Sequence, residues 1–160
     1  MTWLSGAALC GAALVFLRYY FGYLRARRDE CLGFLAFLCE LERGMEGRLE
    51  SPNSVARRMD DPRLRRSGFL DALLEGADLP SAFSAAYDRL LLPSDVRRIL
   101  KEYFDGAGAR YLDGELRLVG RVRAELEKIA VREGEEVDRR SRVAGVLAFA
   151  VTAGVLLLFM

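Results

Sequence analysis

Two uncharged apolar runs flank a charged middle, Met1 to Leu17 and Val143 to Met160, and arginines stand at the inner edge of both. At ~1.5 Å per helical residue, runs of 17 and 18 residues reach roughly 25 to 27 Å, close to a hydrocarbon core about 30 Å thick. The first run extends past Arg18 through Tyr19, Tyr20, Phe21, Tyr23 and Leu24, because one arginine can snorkel and aromatic rings favour the membrane interface. The pattern predicts an N-terminal membrane helix over 1–24 and a C-terminal one over 143–160, with a soluble body over 25–142 between them.

Arg18, Arg25, Arg27 and Arg28 follow the first run, and Arg139, Arg140 and Arg142 precede the second; no charged residue lies outside them. The positive-inside rule then puts the middle of the chain in the cytoplasm and both ends on the other side. A cleaved signal peptide would carry its basic region before the apolar stretch, whereas Met1, Thr2 and Trp3 offer none. An interfacial helix needs a polar face, which the run ending Val155-Leu156-Leu157-Leu158-Phe159-Met160 lacks. Gly6, Ala7, Gly11 and Ala12, and Gly145, Ala148, Ala150, Ala153 and Gly154, supply small faces on which such spans can pack.

Four prolines divide the middle, each after a cap or a break: Ser51-Pro52, Asp61-Pro62, Leu79-Pro80 and Leu92-Pro93. Proline in a first helical turn forfeits no hydrogen bond and is preset in φ. Before them, Cys31, Phe34, Leu35, Leu38, Leu41, Met45 and Leu49 recur at helical spacing and predict an amphipathic helix continuous with the first run. Helices are then expected from Pro52 to about Asp60, from Pro62 to Glu75 with Gly76 as the stop, and from Pro80 to about Leu90. Another should run from Pro93 or Ser94 to Phe104, ended by Gly106 and Gly108. The last begins near Leu112 or Asp113, with Leu116, Val119, Val122, Leu126 and Ile129 as its stripe and Val137 further along, and feeds the second apolar run. No segment alternates as a half-buried strand does. The expected fold is all-α, a compact bundle of about six helices whose first and last continue into the two membrane helices.

The charge balance of +1 gives no field to recruit nucleic acid, and the middle of about 125 residues suffices for one helical core. Arginine outnumbers lysine 22 to 2, which reads as compositional bias. There is no histidine, so the commonest general base and neutral metal ligand are missing, and no serine or cysteine triad can be assembled. Cys10 falls in the first run; Cys31 and Cys39 stand roughly 12 Å apart along one helix, beyond disulfide reach, and read as reduced packing residues. Gly106-Ala107-Gly108 lacks the lysine and hydroxyl of a phosphate loop. The chain is read as non-enzymatic, with no cofactor, metal or small-molecule substrate.

Two charged patterns remain. Glu40, Glu42, Glu46, Glu133, Glu135, Glu136 and Asp138 interleave with Arg43, Arg48, Arg132, Arg139 and Arg140, as on a solvated helix face with i,i+4 pairs. Arg57, Arg58, Arg63, Arg65 and Arg66 cluster around Asp60-Asp61-Pro62 and suit an acidic partner surface or anionic headgroups; the plainer reading is pairing with the neighbouring aspartates. No aromatic residues interleave with them as nucleic-acid stacking would require.

Order and spacing resemble the stage III sporulation protein AB family of endospore-forming bacteria over nearly the whole chain. The resemblance is carried by Leu41-Glu42 on the first long helix, the Ser51-Pro52 turn, Phe69-Leu70-Asp71-Ala72-Leu73, the Ala-rich Ser81 to Ala86, and the glycine-bearing tail Val143 to Met160. Gly44 and Gly47 replace an acid and an aromatic of the family pattern, Ser51 replaces a threonine, and no glutamine matches after Asp113. The resemblance implies a mother-cell membrane component of the complex joining mother cell and forespore. Its cytoplasmic bundle would be similar to the inner-membrane platform protein of type II secretion and type IV pilus machines. It would dock the secretion-type ATPase encoded beside it, with the five clustered arginines as the contact and other membrane subunits and lipid as further partners. The alternative is a two-span adaptor or regulator of another envelope complex, unrelated to sporulation.

Overall fold

A computed structural model describes the backbone of residues 2–48, 50–108 and 111–158, and the side chains of these apart from 2–10, 13, 14, 48, 141 and 146–158. The described residues are helical throughout the regular elements, without a strand. They form α1 (Thr2–Arg48), α2 (Pro52–Arg58), α3 (Pro62–Ser67), α4 (Phe69–Leu74), α5 (Leu79–Ala86), a 3₁₀ turn (Tyr87–Arg89), α6 (Ser94–Asp105) and α7 (Leu112–Leu158). Two compact units result: a terminal unit of residues 1–25 and 132–160, and a central unit of Ala26–Val131.

The two apolar runs, with Cys10 and most of the small faces, fall largely outside the described side chains, and Leu49 lies outside the described residues. Among the described residues no helix is long and apolar enough to cross a membrane.

Three side-chain caps start the short helices of the central unit. Ser51 Oγ accepts the Ser54 N–H at 3.3 Å, Asp61 Oδ1 accepts those of Arg63 at 2.8 Å and Leu64 at 3.2 Å, and Asp78 Oδ1 accepts that of Ser81 at 3.0 Å. Pro52 and Pro62 thus open α2 and α3 as expected. Pro80 does not open α5: the cap is Asp78, the helix begins at Leu79, and proline takes the next position, where it still forfeits no bond.

The helix expected over 62–75 is two. Gly68 adopts φ +86°, a left-handed conformation that ends α3, while Ser67 Oγ turns back to the Leu64 carbonyl at 2.8 Å. The helix expected to reach Leu90 ends at Ala86 and tightens into the 3₁₀ turn. Gly106 and Gly108 end α6 as anticipated.

The core of the central unit is aromatic. Phe34 and Phe37 of α1, Phe69 of α4, Phe83 of α5 and Phe104 of α6 are buried, with ring centroids 5.0 Å apart for Phe34–Phe69, 5.2 Å for Phe37–Phe69 and 5.1 Å for Phe83–Phe104. Val119, Val122, Leu126 and Ala130 close it from α7. Of the α1 stripe, Cys31, Phe34, Leu38 and Leu41 are buried, and Leu35 and Met45 pack partly against the core. Cys31 is buried and Cys39 half-buried, and neither is in a disulfide.

Candidate docking surface

Helices α2 and α3 carry the five arginines. Each helix buries one short apolar edge, Val55 and Ala56 on α2 and Leu64 on α3, which leaves the arginine positions exposed. Basic residues in the last turn also suit the negative end of the helix dipole. The seat of α3 depends on Gly33 of α1: a Cβ there would lie 3.2 Å from Asp61 Oδ2 and 3.3 Å from Leu64 Cγ, closer than ordinary contact.

The cluster divides by pairing. Arg58 forms a two-armed ion pair with Glu50, Arg63 reaches Asp29 of α1 at 3.0 Å, and Arg65 meets Asp60 at 3.3 Å. Such solvated pairs contribute about 0–1 kcal/mol each and leave those guanidinium groups part-neutralised. Arg57 and Arg66 are exposed and have no ion-pair partner among the described residues. Two of the five charges are thus free to meet an outside anion, and Asp61 is committed to capping.

The interleaved acids are less uniform than a solvated face. Glu40 pairs with Arg43 at 2.8 Å and Glu136 with Arg140 at 3.4 Å along their own helices. Glu42 instead reaches across to Arg123 of α7 at 3.2 Å, and Gly120 makes room for it: a Cβ there would lie 3.1 Å from Glu42 Oε1.

Sequence reasoning missed Glu30. It is buried in α1 and accepts the Leu91 N–H at 2.6 Å. Burial pushes its carboxyl above the ordinary 4.5, against hydrogen bonds from Leu91 and Leu92 and the charge of Arg97, which pull the other way. Arg97 Nε in turn donates to the Leu92 carbonyl at 3.0 Å, and its guanidinium lies 5.6 Å from the Tyr87 ring centre. The link between the 3₁₀ turn and α6 is held from both sides by side chains, so Glu30 serves the fold. The signal was its register, four residues before Phe34 on the buried stripe. Glu115, buried four residues before Val119, repeats it on α7.

The chain matches no family model, no curated protein and no solved structure. Among the described residues no group of three or more Cys, Asp and Glu converges as a metal site would. A surface cavity of about 380 Å³, lined by Ser51, Asn53, Gly76, Asp78, Ala107 and Gly108 among others, contains none of the clustered arginines.

The arginines that flank the apolar runs are shared between the units. Arg27 and Arg28 are half-buried in the central unit. Arg18, Arg25, Arg139, Arg140 and Arg142 are exposed in the terminal unit, where Arg140 of α7 donates to the Tyr20 hydroxyl of α1 at 2.8 Å.

Proposed function

We propose that the protein is a non-enzymatic membrane component that presents a cytoplasmic helical platform to a secretion-type ATPase, in a complex of the sporulation channel kind. The observation that carries this reading is the length and polarity of the two outer helices. α1 and α7 have 47 residues each, about 70 Å at 1.5 Å per residue, and both run into charge-free ends, Thr2 to Leu17 and Val143 to Leu158, behind arginines. The order of segments, and its resemblance to the sporulation family, supports the particular complex.

Arg57 and Arg66 are the charges best suited to docking, because an acidic partner can engage them without breaking an internal pair. Binding of the full chain, reconstituted in nanodiscs, to a candidate hexameric secretion-type ATPase from the same genome tests the reading. Reversal of both residues to glutamate is expected to weaken binding about tenfold or more, ~1.4 kcal/mol, and to flatten its salt dependence. Unchanged binding removes the docking patch; absence of binding by the parent chain removes the ATPase and favours an adaptor of another envelope complex.

A further inference from the structure

The terminal unit holds a polar contact that the docking reading does not use. Arg140 Nη1 donates to Tyr20 Oη at 2.8 Å, across 120 residues of sequence, so the hydroxyl keeps its own proton to donate elsewhere. Arg140 Nη2 lies 3.4 and 3.5 Å from the two Glu136 oxygens, which steer the guanidinium while its side chain stays 45% exposed. Charge is sorted along this stretch of α7. The acids Glu133, Glu135, Glu136 and Asp138 come first; Arg139, Arg140 and Arg142 follow, immediately before the charge-free run. Arg139 is 75% exposed, and only one end of it approaches Glu136, at 4.0 Å. On α1, Arg18 and Arg25 are exposed on either side of Tyr20 in sequence. Val15, Phe16 and Tyr19 are also exposed, as residues facing acyl chains and the interface would be.

We propose that the Tyr20–Arg140 contact binds the phosphate of an anionic phospholipid headgroup at the inner edge of the two membrane helices, within the positive field of Arg18, Arg139 and Arg142 on the same stretches. The inference rests on the two-span reading. A guanidinium presents paired N–H groups that match phosphate oxygens, the tyrosine hydroxyl adds a third donor, and the neighbouring arginines supply the field that an anionic leaflet answers. Glu136 is bonded to Arg140 and orients it, while Arg18, Arg139 and Arg142 add positive charge around the contact.

The test uses the full chain in nanodiscs of phosphatidylcholine with and without phosphatidylglycerol, with retained lipids counted by native mass spectrometry during delipidation. The parent chain is expected to retain phosphatidylglycerol over phosphatidylcholine, and Tyr20→Phe and Arg140→Gln each to lower that retention at least fivefold. Arg132→Gln, before the acidic stretch, should leave it unchanged. Tyr20→Phe keeps the ring and its packing, so its loss of lipid reports the hydroxyl. Equal retention by parent and both variants, with the chain still resistant to carbonate extraction, overturns the lipid site and leaves the anchoring reading standing. Release of the parent chain by carbonate overturns both. Displacement of the lipid by millimolar inorganic phosphate shows a free-phosphate site and overturns the lipid assignment.

Discussion

Replacing Phe69 with alanine should be the most damaging single truncation in the central unit. Its ring is fully buried at the start of α4 and lies 5.0 Å from Phe34, 5.2 Å from Phe37, 5.7 Å from Phe104 and 6.5 Å from Phe83, centre to centre. Phe→Ala in a packed core costs about 3–5 kcal/mol, and aromatic pairs contribute about 0.5–1.5 kcal/mol each beyond area, so the upper half of that range is expected. For a unit of roughly 105 residues, with about 2.1 cal/mol/K of unfolding entropy per residue, a loss of ~4 kcal/mol lowers Tm by ~18 °C. Calorimetry of the full chain in detergent, following the transition of the central unit, reads this directly. Tyr111→Ala, at a position 95% exposed, is the matched control and should change Tm by no more than about 2 °C. A fall of less than ~5 °C for Phe69→Ala would refute the claim that one aromatic cluster organises the fold.

Gly68→Ala, at φ +86°, should cost about 1–2 kcal/mol in urea unfolding, where an ordinary helical glycine would gain stability on the same change. Asp61→Ala removes the cap of α3 and should cost about 0.5–2 kcal/mol, whereas Asp60→Ala, which loses only a solvated pair, should cost under about 1 kcal/mol; equal costs would deny the capping role. Glu30→Gln keeps an acceptor for the Leu91 N–H and removes the buried charge. Because the folded carboxyl titrates above 4.5, the native chain sheds stability relative to this variant as pH rises from below 4.5 through the raised value; a stability difference that stays flat with pH would contradict it.

The parts of the fold legible from sequence were those with a local cause. Ser51 and Asp61 stand as caps before prolines, and the stripe 31–45 and, on α7, Val119, Val122, Leu126 and Ile129 follow the helical period, so α1, α2, the start of α3, and α7 can be read directly, while Leu116, expected on the same stripe, stays outside the core. Gly68 sat inside an apolar pattern that continued through Leu64, Phe69, Leu70 and Leu73, and only its left-handed φ splits α3 from α4. The cap of α5 was hidden because Pro80 drew the boundary two residues past Asp78. Pairing in the arginine cluster was half visible. Asp60 is a near neighbour of Arg65, but Asp29, the partner of Arg63, lies 34 positions away in sequence and is brought in by the close approach at Gly33. Glu42 likewise looked like a surface acid until α7 supplied Arg123.

A cytoplasmic bundle between two membrane helices can be labelled from the cytoplasmic side alone. Ser94 is exposed at the start of α6 and carries the reporter as Ser94→Cys, in a chain with Cys10→Ala, Cys31→Ala and Cys39→Ala. In intact cells a membrane-impermeant maleimide should leave this cysteine unmodified and react with it only after the membrane is opened. Modification before permeabilisation would place the bundle on the outer side and overturn this topology.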